Sequence, residues 1–115
     1  MSLKIPPDVG ALMSGPSLVL LVRFKSALPL EEVRRIAEER ADDFRALDGL
    51  RQKYYLHDPA TGEIGGLYLW EGRAALDAYR SSALRATIQE AYQAQGEPRV
   101  ELFEVLMPLR EVEGA

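Results

Sequence analysis

Two side chains of this chain are well suited to acid–base or anion chemistry. His57 is the only histidine among 115 residues, and an imidazole is the side chain that ordinarily exchanges protons near neutral pH. Arg23 stands inside the apolar run of residues 17–25, where burying an unpaired charge would be costly. We therefore treat both as catalytic candidates: His57 as a proton acceptor and Arg23 as an anchor for an anionic or carbonyl substrate.

Both candidates also have structural explanations. The Asp-Pro pair that follows His57 places it at a loop edge, where a solvated histidine without a function is the alternative. Arg23 would equally form a structural ion pair with a glutamate, the available partners being Glu71, Glu101 and Glu104. Lys53 and Tyr54 leave the same choice open between a functional and a structural role. A lone histidine without a supporting motif is a weak basis for haem ligation.

Aromatic residues are concentrated in two neighbouring segments. Tyr68 and Trp70 share one face of the segment 64–71, where they would stack on a flat aromatic ligand, and Tyr55 lies on the preceding strand-like segment. The alternative is packing in the core or at an interface, and the two roles are compatible. Gly65 and Gly66 indicate a bulge or a close approach of another backbone, and they match no phosphate-binding loop.

Composition excludes several classes of function. The chain has no cysteine and one histidine, so disulfides, thiolate sites and metal sites built on several imidazoles are excluded. A net charge of −4 disfavours binding to nucleic acid. The longest apolar run, residues 18–22, is too short to span a membrane, and the N-terminus lacks the apolar region of a signal peptide. We expect a cytoplasmic protein without a metal.

The elements needed to position these residues follow from hydrophobic periodicity. Residues 1–16 are rich in proline and glycine and read as an arm, residues 17–108 as one domain, and residues 109–115 as a tail. The predicted strands are 17–25, 50–58, 64–71 and 100–107, and a helix is predicted from Leu30 to Leu47. Further helical segments lie between residues 74 and 92, with Ser81 or Ser82 as a cap, and end at Gly96 and Pro98. The order β-α-β-β-α-β predicts a ferredoxin-like α+β fold with a four-stranded antiparallel sheet.

The predicted strands are apolar on both faces. Leu18, Leu20 and Val22 alternate with Val19 and Leu21, although helices cover only one face of such a sheet. An uncovered apolar face of several hundred Å² exceeds what a soluble monomer normally exposes. We therefore expect a homodimer through the open sheet face; the alternative is that the arm of residues 1–16 folds across it.

One part of the sequence resembles a known family. Its residues are Gly49-Leu50, Lys53-Tyr54-Tyr55, Thr61-Gly62-Glu63, Gly65-Gly66-Leu67-Tyr68-Leu69-Trp70-Glu71, Ala74 and Tyr79. The chain over residues 17–108 resembles the mono-oxygenase-like family of the dimeric α+β barrel superfamily. The Gly-Gly-x-Tyr-x-Trp-Glu strand that follows the Thr-Gly-Glu hairpin is the most specific part of the match.

The resemblance implies a cofactor-independent mono-oxygenase that oxidises a small aromatic or phenolic substrate in a pocket between the helices and the sheet. Tyr55, Tyr68, Trp70 and Tyr79 are then the substrate-binding candidates, beside His57 and Arg23. Haem-degrading relatives use an asparagine, which this chain lacks, so we expect no cofactor. The alternatives are a non-catalytic module that binds a small hydrophobic ligand, a purely structural dimer, and an isomerase or lyase of similar plan.

Overall fold

The strands and helices follow one another in the predicted order in a computed structural model that describes residues 17–110. The predicted arm of residues 1–16, and residues 111–115 of the predicted tail, lie outside the described residues. The strands are β1 (Leu18–Ser26), β2 (Leu50–His57), β3 (Ile64–Trp70) and β4 (Ala94–Glu104). The helices are α1 (Leu30–Arg45), α2 (Arg73–Arg80), α3 (Ala83–Ala86) and α4 (Ile88–Ala91).

The four strands form one antiparallel sheet in the order β2-β3-β1-β4. β3 and β4 flank β1, so the parallel strands β1 and β2 are separated by one strand and joined through α1. This is the split β-α-β arrangement of the ferredoxin-like fold, which confirms the fold class predicted from the sequence. No helix among residues 17–110 is long and apolar enough to span a membrane.

The helices begin and end where local chemistry favours it. Pro29 precedes α1 in an extended conformation, and Glu31 and Glu32 place negative charge in its first turn. The hydroxyl of Ser82 accepts a hydrogen bond from the backbone N–H of Arg85 at 3.1 Å, which caps α3. The predicted Ser81-or-Ser82 cap is therefore Ser82.

The start of the last strand was predicted wrongly. The sequence placed it at Val100 and ended the preceding helix at Gly96 and Pro98, whereas β4 begins at Ala94 and contains both residues. Gly96 adopts a φ of +75°, and the pairing of β1 with β4 changes register between Arg23 and Lys25, so the strand continues through a bulge. An edge strand tolerates Pro98 because its missing N–H removes no bond to a second neighbour.

The core lies between the helices and one face of the sheet. It contains fully buried Trp70 and Leu76, which are both 0% exposed. Its other members, from every strand except β2 and β4 and from the helical segments, are Leu18, Leu20, Phe24, Val33, Phe44, Ile64, Tyr68, Tyr79, Ile88 and Tyr92. The strand faces predicted for β1 and β3 are those observed.

No helix in the described part of the chain packs on the other face of the sheet, which we call the open face. Its side chains alternate with those of the core, and the central strands contribute the half-buried Val19, Leu21, Leu67 and Leu69. The outer strands contribute exposed aromatic side chains, with Tyr54 57% and Phe103 51% exposed. The open face is apolar at its centre, as expected from the sequence.

Candidate functional site

A cavity of about 800 Å³ lies between the sheet and the helices. β1, β2 and β3 form its floor, α1 forms one wall, and residues from α2 to the end of α4 form the other. The floor residues include Val22, Phe24, Lys53, Tyr55, His57, Ile64, Gly66 and Tyr68. The wall residues include Leu30, Val33, Arg34, Ala37, Glu38, Ala41, Arg45, Tyr79, Arg85, Ile88, Gln89 and Tyr92. A cavity of this size suits a drug-sized organic ligand.

Three of the four aromatic candidates line this cavity: Tyr55, Tyr68 and Tyr79. Trp70 lies behind them in the core, with its ring stacked on Tyr68 at a centroid distance of 6.1 Å and an interplanar angle of 5°. Trp70 also contacts the Tyr79 ring at 5.1 Å. Its position supports the packing interpretation, since it holds the two tyrosines that face the cavity.

The hydroxyl groups of Tyr68 and Tyr79 lie 3.4 Å apart, with Tyr79 donating to Tyr68. Burial raises the pKa of the Tyr68 hydroxyl, and the neighbouring Tyr79 adds to the effect. Burial also raises the pKa of Tyr79. Both side chains are therefore neutral phenols at physiological pH, able to donate or accept a hydrogen bond but not to act as bases.

Lys53 is the charged side chain at the centre of the floor. Its Nζ lies 3.4 Å from the ring centroid of Phe44, 4.3 Å from that of Tyr55 and 4.6 Å from that of Tyr68. Burial, together with the smaller effect of the positive charge of Arg40, lowers the pKa of Lys53 to about 7. From the sequence, Lys53 was only a minor candidate for the site. The feature that pointed to it was a lysine within an aromatic strand segment.

A bulge in β2 decides which of its side chains face the cavity. Leu50 pairs with Trp70 and Gln52 with Leu69, so β2 contains one extra residue between these pairs. After the bulge Lys53 lies opposite Tyr68, on the same face of the sheet as the core. Without that extra residue Leu50 and Lys53 would point to opposite faces.

His57 lies at the end of β2, opposite Ile64, and is exposed. It borders the cavity and also a smaller cleft of about 340 Å³ at the hairpin end of the sheet. Its position is thus at the mouth of the cavity, away from the aromatic cluster. This matches the loop-edge position expected from the sequence.

Arg23 points to the open face and does not line the cavity. Its Nη2 forms ion pairs with Asp58 at 2.8 Å and Glu63 at 2.9 Å, and Arg99 binds the same Glu63 oxygen at 2.9 Å. The acidic partners suggested by the sequence were Glu71, directly after β3, and Glu101 and Glu104 of β4; the observed partners are instead these two residues of the β2–β3 hairpin. The hydrogen bond from Arg23 lowers the pKa of Glu63, so the network ties the hairpin to β1.

The two glycines of β3 act on different faces. A Cβ on Gly65 would lie 1.9 Å from the carbonyl oxygen of Val22, so β1 approaches β3 too closely there for any side chain. A Cβ on Gly66 would lie 3.0 Å from Tyr68 Cε1 and 3.2 Å from Lys53 Cε. The side chains of Lys53 and Tyr68 therefore pack closely over Gly66, a position that only a glycine fits without displacing them.

A known protein family matches most of this chain. The family model described as "Putative mono-oxygenase ydhR" matches residues 19–115. The chain belongs to this family. The match confirms the mono-oxygenase-like family that the sequence resembles, and it extends beyond residue 108. No curated protein matches the chain.

Several solved structures share the fold of this ydhR family member. SnoaB, a cofactor-independent oxygenase from Streptomyces nogalater, is 14% identical with a TM-score of 0.67, over 84% of this chain and all (100%) of SnoaB. A putative antibiotic biosynthesis monooxygenase from Caulobacter crescentus is 13% identical with a TM-score of 0.69, over 82% of this chain and 93% of that one. A dimeric ferredoxin-like protein of unknown function from Thermobifida fusca is 10% identical with a TM-score of 0.64, over 79% and 92%.

The residues around the cavity of this mono-oxygenase family member define the chemistry that its lining can provide. Residues 17–110 contain no group of three or more histidines, aspartates or glutamates placed to hold a metal ion. The side chains that line the cavity supply aromatic surface, the neutral phenols of four tyrosines, the amine of Lys53 and charged groups on the walls. Such a set can enclose an aromatic ring and stabilise a negative charge on it.

Proposed function

We propose that the protein is a cofactor-independent mono-oxygenase that acts on a small aromatic or phenolic substrate in the cavity between the helices and the sheet. The observation that carries the proposal is an 800 Å³ cavity with Tyr55, Tyr68 and Tyr79 in its lining, in a chain of a mono-oxygenase family. SnoaB, whose fold is similar, is a cofactor-independent oxygenase.

The reaction without a cofactor requires a substrate that reduces oxygen itself. A phenol or anthrone that loses a proton becomes electron-rich enough to transfer an electron to O₂. One oxygen atom then forms the new carbonyl group, and the other leaves as water. The two hydrogens of this water come from the oxidised CH₂ of an anthrone, or from the ring C–H and the hydroxyl group of a phenol. The tyrosine-lined cavity supports this chemistry by excluding water and orienting the ring.

Oxygen uptake with an anthrone-like phenol tests this proposal. Ala37 of α1 lines the cavity, so Ala37→Phe fills it, whereas Ala78 of α2 is exposed and Ala78→Phe is the matched control. We expect wild type and Ala78→Phe to consume oxygen, and Ala37→Phe to lose at least about 90% of the rate. An equal rate in Ala37→Phe would contradict the proposed site.

Two other outcomes would replace the proposed activity. If the phenol raises the melting temperature without oxygen uptake or product, the cavity belongs to a ligand-binding module. If product forms while the oxygen concentration stays constant, the reaction is an isomerisation or elimination. Both results would leave the location of the site unchanged.

We also infer that two copies pack through the open face. Its apolar centre has no cover among residues 17–110, and the similar Thermobifida fusca protein is described as dimeric. Leu69→Glu should therefore sediment at 12.8 kDa, while wild type and the helix-side control Leu30→Glu sediment at twice that mass. A wild-type protein that sediments at 12.8 kDa at micromolar concentration would contradict the dimer.

A further inference from the structure

Lys53 occupies an unusual position for a lysine. It lies on the floor of the cavity, with its amine over the Phe44 ring at 3.4 Å and near the rings of Tyr55 and Tyr68. In the described part of the chain no aspartate or glutamate forms an ion pair with it. The amine therefore lacks the carboxylate that usually accompanies a lysine removed from water.

Burial and the positive charge of Arg40, a residue of α1, act against the ammonium form of Lys53. The charged and titratable groups that line the cavity with Lys53 are Glu31, Arg34, Glu38 and Arg45 from α1, Tyr55 and His57 from β2, Tyr68 from β3, Tyr79 from α2, Arg85 from α3, and Tyr92. Arg40 is held in place, since its Nη2 donates to the Leu84 carbonyl and to the Thr87 hydroxyl, each at 3.1 Å. The surroundings repel an added positive charge, whereas the three ring faces attract it, so both protonation states of the amine are accessible near neutral pH.

We propose that Lys53 is the proton acceptor and charge partner for the acidic hydroxyl of an aromatic ligand in this cavity. The neutral amine takes the proton from a phenol or enol, and the ammonium that forms stays beside the oxyanion. The O–H bond breaks, an N–H bond forms and the electron pair remains on oxygen, so the step requires no oxidant or reductant. The ligand class rests on the proposed function.

The part of the cavity lining where Lys53 and Tyr68 meet fits this role. A Cβ on Gly66 would lie 3.2 Å from Lys53 Cε and 3.0 Å from Tyr68 Cε1, so the two side chains close over this glycine from two sides and lie next to each other. The hydroxyl of Tyr68, on the other side, is neutral at physiological pH and can donate to the same oxyanion. A ligand oxygen at this point is bound by one cation and one phenol, whereas its ring contacts aromatic side chains.

A chromogenic phenol tests the inference without oxygen or turnover. 4-Nitrophenol is the probe, because its phenolate is yellow and its neutral form is not. With excess wild-type protein, at a pH where the free probe is mostly neutral, we expect the ionised-to-neutral ratio to rise at least ~10-fold. Lys53→Met should abolish this increase, and Lys25→Met, which changes an exposed lysine of β1, should retain it.

Proton counting separates an acceptor from a fixed positive charge. Near pH 8 the amine of Lys53 is mainly neutral and the free probe mainly ionised, so formation of the ammonium–phenolate pair takes up about one proton from a weak buffer. Lys53→Arg should still bind the yellow form but take up none. A wild-type protein that takes up no proton, binds no probe, or gives the same colour as Lys53→Met would overturn the inference.

These outcomes are independent of the oxygenase proposal. A yellow complex with proton uptake but no oxygen consumption by any phenol would retain the role of Lys53 and reject the oxygenase. Oxygen consumption at the wild-type rate in Lys53→Met would do the reverse.

Discussion

Replacing Lys53 with methionine should stabilise the folded protein at neutral pH. Methionine keeps an unbranched apolar chain among the aromatic rings and removes the amine, whose pKa burial lowers from 10.5 to about 7. Since each pKa unit corresponds to about 1.4 kcal/mol, holding the ammonium in the fold costs about 5 kcal/mol. This cost is fully present below pH 7, where the amine is protonated in both the folded and the unfolded chain.

The sign of the pH dependence follows from proton binding. Between pH 7 and 10.5 the unfolded chain binds the proton and the folded chain does not, so wild-type stability gains up to about 1.4 kcal/mol per pH unit from this group. The advantage of Lys53→Met in the free energy of unfolding should therefore shrink as the pH rises from 7 to 9.5. It should approach zero near pH 10.5.

Urea unfolding monitored by the fluorescence of Trp70, the only tryptophan, measures this advantage directly. Protein concentration must be equal for all variants, because dissociation of the proposed dimer would contribute to the apparent stability. Lys25→Met is the control and should follow wild type at every pH. A constant difference between Lys53→Met and wild type from pH 7 to 9.5 would refute the reasoning, because it would place the pKa of the buried amine outside this range.

Two further predictions concern the sheet. Gly65→Ala should lower the free energy of unfolding in urea by more than about 3 kcal/mol, because the added Cβ would lie 1.9 Å from the Val22 carbonyl oxygen. A loss below about 1 kcal/mol would contradict the close approach of β1 and β3. Arg23→Met should lower the melting temperature at pH 7, because it removes the guanidinium that binds the carboxylates of Asp58 and Glu63 and leaves Glu63 with Arg99 alone. Hydrogen bonds from backbone N–H groups of the hairpin and from Arg23 hold the pKa of Asp58 below 3.8, and a hydrogen bond from Arg23 holds the pKa of Glu63 below 4.5. The difference in melting temperature between wild type and Arg23→Met should therefore narrow as the pH falls below these values. A difference that is independent of pH would show that the ion pairs contribute nothing to stability.

The fold was predictable because it depends on local patterns. The α1 stripe that buries Val33 and Phe44, the hairpin between β2 and β3, and the double-sided apolar strands are each read from neighbouring residues. Their order then leaves few topologies, which is why the ferredoxin-like sheet was correct. The error at the start of β4 arose where glycine and proline, read as breakers, are accommodated by an edge-strand bulge.

The aromatic half of the site was predicted from residue type and strand parity. Tyr55, Tyr68 and Tyr79 all line the cavity, although only the packed structure shows that Trp70 lies behind them. The charged half was not predictable. Arg23 and Lys53 are both basic residues of apolar or aromatic strands. Arg23 forms ion pairs on the open face, whereas Lys53 lines the cavity and forms no ion pair among residues 17–110.

The sequence by itself determined the order of the elements, the two apolar faces of the sheet and the supply of aromatic side chains. The tertiary structure alone decided which basic residue faces the cavity. An inserted residue in β2 reverses the side-chain parity along that strand, and Phe44 and Arg40 reach Lys53 from a different element. The protonation of a side chain depends on such neighbours in space, and their identity is set only when the helices pack on the sheet.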